Sequence, residues 1–226
     1  MNTSTISIPL PAIEPMRGVY RPVADSKLLA DAFSQADINE AIDVLDLCCG
    51  SGIQGISAAM QGHRVDAVDA DHCAVISARR NATLNGVNMR VLEGDLFRPV
   101  VGRGYDAILA NPPYVPTPTR GSFRPHVWSD GGDDGRLLID RICRASRSFL
   151  TPGGSLWMVH SSLADIRASI AMLSDTGLTV SEVAERYEPF GPVSAERMDY
   201  LLERGFVTAG QAGERLVVLK ATLEAD

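Results

Sequence analysis

The chain has 226 residues, 45% of them hydrophobic and 22% charged, with a formal net charge of −7. That length suits one α/β domain with a sizeable core, and no apolar run approaches the ~20 residues needed to span a bilayer. The acidic balance argues against a general nucleic-acid binder, which normally carries a basic face, although Arg120 and Arg124 offer a local basic patch.

Residues 1–18, with Pro9, Pro11 and Pro15, read as an extended arm, and 19–226 as a single domain. Helical spacing of Leu28, Leu29, Ala32 and Phe33 predicts a first helix, for which Asp25 or Ser26 is the expected N-cap. The near-continuous apolar run 41–48 is a strand of the kind found in parallel sheets. It runs into Gly50-Ser51-Gly52-Ile53-Gln54-Gly55 and a helix to about residue 61, the start of a Rossmann-type unit. The glycines permit a tight turn and close approach of a ligand, and the helix start offers unpaired N–H groups. Cys48 and Cys49, in this apolar setting, read as small buried residues of a reducing compartment. With Cys73 and Cys143 they form no CxxC pair, so no zinc site is expected. The N-terminus lacks a secretory pattern, and the expected location is cytoplasmic.

A second strand, 64–68, ends at Asp69, about 20 residues past the glycines, where a carboxylate accepts from both ribose hydroxyls of a nucleotide. Asp71 is then free to cap a helix over 72–85. A third strand, 88–92, gives way to Gly94-Asp95-Leu96-Phe97, in which Asp95 reads either as a partner for an exocyclic amine or as part of a surface turn. The fourth strand, 105–110, delivers Asn111-Pro112-Pro113-Tyr114. Two prolines cannot continue a strand, so the chain leaves the sheet with a conformationally restricted Asn before the break and an aromatic ring after it. The corner is either an ordinary strand-end turn or a clamp for a planar NH2 group. As a clamp, Asn Oδ1 and a prolyl carbonyl accept its two N–H bonds while Tyr114 stacks on its plane. Residues 115–133 read as a long mobile loop over the site. Beyond it are expected a helix at 134–150, a strand at 155–160, a helix at 163–175, a strand at 178–186, a short helix at 194–205 and a last strand at 215–220. Seven strands alternating with helices predict a Rossmann-like, doubly wound, mostly parallel sheet with helices on both faces. Residues 188–213 form an insertion before a last strand that returns antiparallel and hairpin-like.

Taken together, Val44-Leu45-Asp46-Leu47-Cys48-Cys49-Gly50-Ser51-Gly52, Asp69, Asn81, Asp95-Leu96-Phe97 and Asn111-Pro112-Pro113-Tyr114 stand in the order found in class I S-adenosylmethionine-dependent methyltransferases. The chain most resembles their HemK/PrmC group, which methylates the side-chain amide of glutamine in translation release factors. Tyr20-Arg21-Pro22 with Asp25-Ser26, and Gly131-Gly132-Asp133-Asp134-Gly135-Arg136, resemble the eukaryotic and archaeal branch of that group. The resemblance implies S-adenosyl-L-methionine as cofactor. It makes Asp95 the adenine-amine partner, Asp69 the ribose partner and the Gly50–Gly52 loop the cradle of the methionine end. Asp46 orients that loop or holds the cofactor's ammonium. Tyr20, Asp25, Ser26, Cys48, Leu96 and Asn111 complete the cofactor site, and Asn111, Pro112 and Tyr114 the acceptor clamp.

Cys48 stands where many relatives have glycine, and a small side chain is expected to fit. Only about 40 residues precede the first strand, too few for the N-terminal recognition domain of the bacterial enzymes. No dedicated base is assigned, and the proton goes to water. Competing readings are an N-methyltransferase of a small molecule or peptide, an adenine exocyclic-amine methyltransferase, a nicotinamide-dependent dehydrogenase, and a non-catalytic cofactor-binding subunit. A small activating protein partner, as the related eukaryotic enzymes need, is a further expectation, and no membrane is involved.

Overall fold

Apolar runs that tolerate no exposed face become the middle of a sheet, and here both faces are covered by helices. The computed structural model describes residues 10–118 and 127–225. Its strands are β1 (Asp43–Leu47), β2 (Arg64–Asp69), β3 (Arg90–Glu93), β4 (Tyr105–Ala110), β5 (Leu150–Ser161), β6 (Thr179–Pro189) and β7 (Gly213–Thr222). They form one seven-stranded sheet in the order β3-β2-β1-β4-β5-β7-β6. Only β7 runs antiparallel to its neighbours.

Alternation along the strands divides the core in two. Val44, Ala107, Leu109, Trp157 and Val218 pack on one face against α1 (Ala24–Ser34) and α2 (Ile53–Met60). Leu45, Leu47, Ile108, Leu156 and Leu219 pack on the other, against α4 (Ile139–Ala145) and α5 (Ile166–Asp175). α3 (His72–Leu84) covers Ala67 and Val91. Each fully buried Leu or Ile contributes ~1.5–3 kcal/mol of transfer free energy, so a one-residue slip that turned these sets outward is strongly disfavoured. The strand order reverses between β1 and β4, which lie in register with Leu47 opposite Ala110. The turn after β1 and the corner after β4 therefore leave the sheet side by side, where open α/β sheets bind ligands.

The expected elements are present, with informative shifts. The helix expected from 134 begins at Ile139, and its tail, Ser146–Phe149, is a 3-10 turn. The glycines ahead of it explain the late start. Gly135 has φ +79°, and a Cβ there would lie 2.4 Å from the carbonyl oxygen of Tyr114, so the segment is moulded on the corner rather than wound into helix. β5 begins five residues earlier than expected because Leu150 already pairs with Tyr105, across a register shift. The helix expected at 194–205 is two, α6 (Pro192–Glu196) and α7 (Met198–Glu203). β6 and β7 reach past their expected bounds to pair Glu188 with Glu214 and Pro189 with Gly213, closing the insertion at its base.

Residues 10–18 carry neither helix nor strand, and two of them are pinned along α3. The N–H of Ala12 donates to Asn85 Oδ1 (2.9 Å) and that of Glu14 to Asn81 Oδ1 (3.0 Å). The reading of an extended arm over 1–9 lies outside the described residues. Among the described residues no helix is long and apolar enough to cross a membrane.

Candidate active site

Two cavities meet at the carboxyl ends of β1, β2 and β4. The smaller, about 460 Å³, is lined by the turn after β1, by Asp69 and by Asp95-Leu96. At Gly52 φ is +86° and a Cβ would lie 3.0 Å from Ala78 Cβ, so both backbone angle and space require glycine. Cys48 also sits in the left-handed region, at φ +55°. The demand at that position is conformational rather than spatial, which explains why glycine suits it and why a cysteine there carries a strain of ~1–2 kcal/mol. Leu96 shares the trait at φ +49°.

Asp46, buried mid-strand, accepts the N–H of Gly55 at Oδ2 (2.8 Å) and so fixes the first turn of α2. Its Oδ1 is buried with no hydrogen-bond partner. Burial raises its carboxyl to about 7. Asp69 accepts from the N–H groups of Gly50 (2.8 Å) and Asp71 (2.9 Å), one on each oxygen, which keeps the carboxylate facing the cavity with a lone pair to spare on each. Burial nonetheless pushes it above the usual carboxylate range. Asp71 caps α3 through the N–H of Cys73, as expected. Asp95, expected as an amine partner or part of a surface turn, is held by an arginine. Arg141 donates to both its oxygens (2.8 and 2.7 Å), and this hydrogen bonding holds the carboxyl below its ordinary value. Asp95 still lines the cavity, as half of an ion pair.

The N-terminal segment corrects the capping assignment. α1 opens two residues earlier than a cap at Asp25 requires, at Ala24, with Val23 at the N-cap and no side-chain cap bond. Asp25 and Ser26 are instead buried in the first turn, pointing at the corner. The Ser26 hydroxyl donates to Asp25 Oδ1 (3.2 Å), so its oxygen is left to accept, and it accepts from Asn111 Nδ2 (3.1 Å). This one-way chain ends on an acceptor-only carboxylate and fixes the Asn111 amide with its NH2 turned to Ser26 and its Oδ1 turned away. The same Asp25 carboxylate receives the hydroxyls of Tyr20 (2.7 Å) and Tyr114 (3.2 Å). Burial raises both phenols well above their usual range, so they stay protonated donors.

The larger cavity, about 950 Å³, lies on the far side of the corner, with Pro112, Tyr114, Asp25 and Glu214 in its wall. Five residues line both cavities: Val19, Tyr20, Asn111, Pro113 and Trp128. Trp128 lies against Tyr20, ring centroids 5.1 Å apart. The flanks of the segment expected to be a mobile loop are pinned. The N–H of Thr117 donates to the carbonyl of Gly132 (2.7 Å). Arg197, between α6 and α7, donates to Val115 O (3.3 Å), Thr117 Oγ1 (2.8 Å) and Ser129 O (3.1 Å). Residues 119–126, with Arg120 and Arg124, lie outside the described residues.

Sequence reasoning missed Trp128, Arg197 and Glu214. Trp128 was open to view, as an aromatic between the corner and a glycine cluster. Arg197 and Glu214 have no local signature, and the last strand was expected to begin one residue after Glu214.

A model of the family described as methyltransferase small domain matches residues 24–187. A Methanocaldococcus jannaschii protein provisionally named a protein N5-glutamine methyltransferase is 36% identical over 175 residues, 76% of this chain and 87% of the relative. The release factor glutamine methyltransferase of Geobacter sulfurreducens is 34% identical over 61% of this chain, which spans only 51% of that relative. Among solved structures, a chain of the E. cuniculi Mtq2–Trm112 complex, responsible for methylation of the eRF1 translation termination factor, superposes with a TM-score of 0.63 at 21% identity. It covers 92% of this chain and 99% of that one.

Proposed function

The chain belongs to the methyltransferase small domain family and is an S-adenosylmethionine-dependent methyltransferase, and we propose that its acceptor is the side-chain amide nitrogen of a glutamine in a protein such as a release factor. The observation that carries the proposal is the orientation of Asn111. An acceptor atom held by a one-way hydrogen-bond chain, at the junction of two cavities, suits an NH2 group approaching from one side and a methyl donor from the other.

The residues present fit the cofactor. Asp46, behind the cavity wall, orients the turn through the Gly55 N–H, the spare lone pairs of Asp69 suit ribose hydroxyls, and the open space at Gly50 admits close approach. Asp95, in its pair with Arg141, takes the adenine amine, with Leu96 beside it, Cys48 and Gly50 forming the cradle, and Gly52 letting that turn pack on Ala78 of α3. When bound, the cofactor supplies an electrophilic methyl carbon on a sulfonium.

The protein's task is to present a nitrogen in line with it. An amide nitrogen is planar and weakly nucleophilic. Asn111 Oδ1 and the Pro112 carbonyl accept its two N–H bonds, fix its plane, and favour the positive charge that develops there during attack. Tyr114, tethered to Asp25, packs on that plane. Tyr20 and Trp128 wall the junction against water. In this reading 19–226 act as one methyltransferase domain, with 188–213 an elaboration beside the acceptor cavity, and the protein works in the cytoplasm. A small activating protein partner belongs to the same proposal, by analogy with the Mtq2–Trm112 assembly.

Incubation with methyl-labelled cofactor and a cell extract, with and without a co-expressed partner, tests it. Label is expected in protein, at glutamine on peptide mapping. Label confined to nucleic acid or to small molecules would overturn the glutamine assignment and leave the adenine or small-molecule reading in its place.

A further inference from the structure

Transfer to an amide nitrogen releases a proton, and an acceptor for that proton makes the nitrogen a better nucleophile, since its lone pair becomes available as the N–H bond weakens. Asp25 is poorly placed for the task, because its oxygens already accept from Tyr20, Tyr114 and Ser26. The acceptor cavity holds a second buried acid. Glu214, at the start of β7, is 5% exposed and lines that cavity with Asn111, Pro112 and Tyr114. Its Oε2 accepts from the hydroxyl of Ser161 on β5. β6 presents Glu188 directly opposite, so two acids face each other at the base of the insertion.

Building on the glutamine reading, we propose that Glu214 is the general base of the reaction. The amide nitrogen's electron pair forms the bond to the methyl carbon, and the carbon–sulfur bond breaks with its pair passing to sulfur. The N–H that the Pro112 carbonyl accepts is shared with the Glu214 carboxylate on the same cavity wall, and its proton passes to that carboxylate while the N–H pair stays on nitrogen. Glu214 then returns the proton to solvent through the cavity. Burial raises this carboxyl to about 7, so it is a much stronger base than an exposed glutamate, and ionised in useful amounts at neutral pH. The groups facing it are Asp25 on α1, Tyr20 before that helix, Tyr114 on the corner and Glu188 on β6. Glu188 is itself paired with Arg186.

The test uses the full chain, saturating cofactor and the protein labelled in the extract experiment. A base must be ionised, so kcat of the wild type should fall as pH drops below about 7. Glu214→Gln keeps the shape and the Ser161 contact. It should lower kcat about 100-fold at pH 8 and abolish that acid limb, with cofactor affinity by calorimetry unchanged. Ser161→Ala removes a donor that favours the ionised form, so it should move the limb to higher pH and leave the plateau near wild type. This variant decides the matter if Glu214→Gln misfolds. An unchanged kcat in Glu214→Gln, or a limb that stays in place in both variants, overturns the assignment alone. Absence of any labelled protein overturns the glutamine reading and this inference with it.

Discussion

Asn111 is ordinary in composition and unusual in constraint. Its amide has two ends that look alike in shape and opposite in chemistry, and the Asp25–Ser26 pair decides between them. If Ser26 acts by orienting Asn111, the two are one unit. Ser26→Ala should then lower kcat about 10-fold, on the scale of one lost hydrogen bond, and Asn111→Ala about 100-fold. The double variant should fall no further than Asn111→Ala. Additive losses in that cycle would show Ser26 acting elsewhere. Asp46 makes a separate prediction. Its folded-state value of about 7 lies above the ordinary ~3.9, so between those values the folded state binds the extra proton, and stability falls as pH rises through that window. At pH 8 the full penalty is present. Asp46→Asn should therefore stabilise the free protein at pH 8 by on the order of 2 kcal/mol and hardly at all at pH 4. Equal melting shifts at both pH values would count against it. Most of these residues could be picked out from their types and spacing. The direction in which Asn111 faces could not, because it depends on a serine 85 positions away.

At the scale of elements, strands and helices were legible wherever apolar periodicity was strong, as in β1, β2, β4 and α3. Misjudged bounds cluster where backbone meets backbone. The late start of α4 follows from Gly135 lying on Tyr114, a contact that a list of propensities does not contain. The insertion, expected to carry one short helix of no evident purpose, gains one from Arg197, whose guanidinium sits among Val115, Thr117 and Ser129. Tyr200, on α7, adds a bond to the carbonyl of Asp133 (2.8 Å). α6 and α7 thus brace the segment that leaves the corner. Arg197→Ala should raise the KM for the acceptor about 10-fold, since several part-buried hydrogen bonds from a cation are lost together, and should leave the cofactor Kd within a factor of two. A matching rise in both constants, measured by initial rates and calorimetry, would mean that the brace supports the whole site rather than the acceptor side.

For the molecule as a whole, the doubly wound plan was readable from alternation of strand and helix. The reversal of strand order between β1 and β4 then dictated where a ligand must sit. What sequence order concealed was convergence. Segments near residues 20, 111, 128, 197 and 214 come together around one cavity, though long stretches of chain separate them. Glu214 belongs to the site only because β7 turns back between β5 and β6. The two cavities have a consequence for turnover. Among the described residues they share five, and the others each line one cavity. Spent cofactor can leave, and fresh cofactor arrive, while a bulky acceptor still fills its own side. On the glutamine reading proposed above, the cycle is then expected not to wait for the slower of two departures.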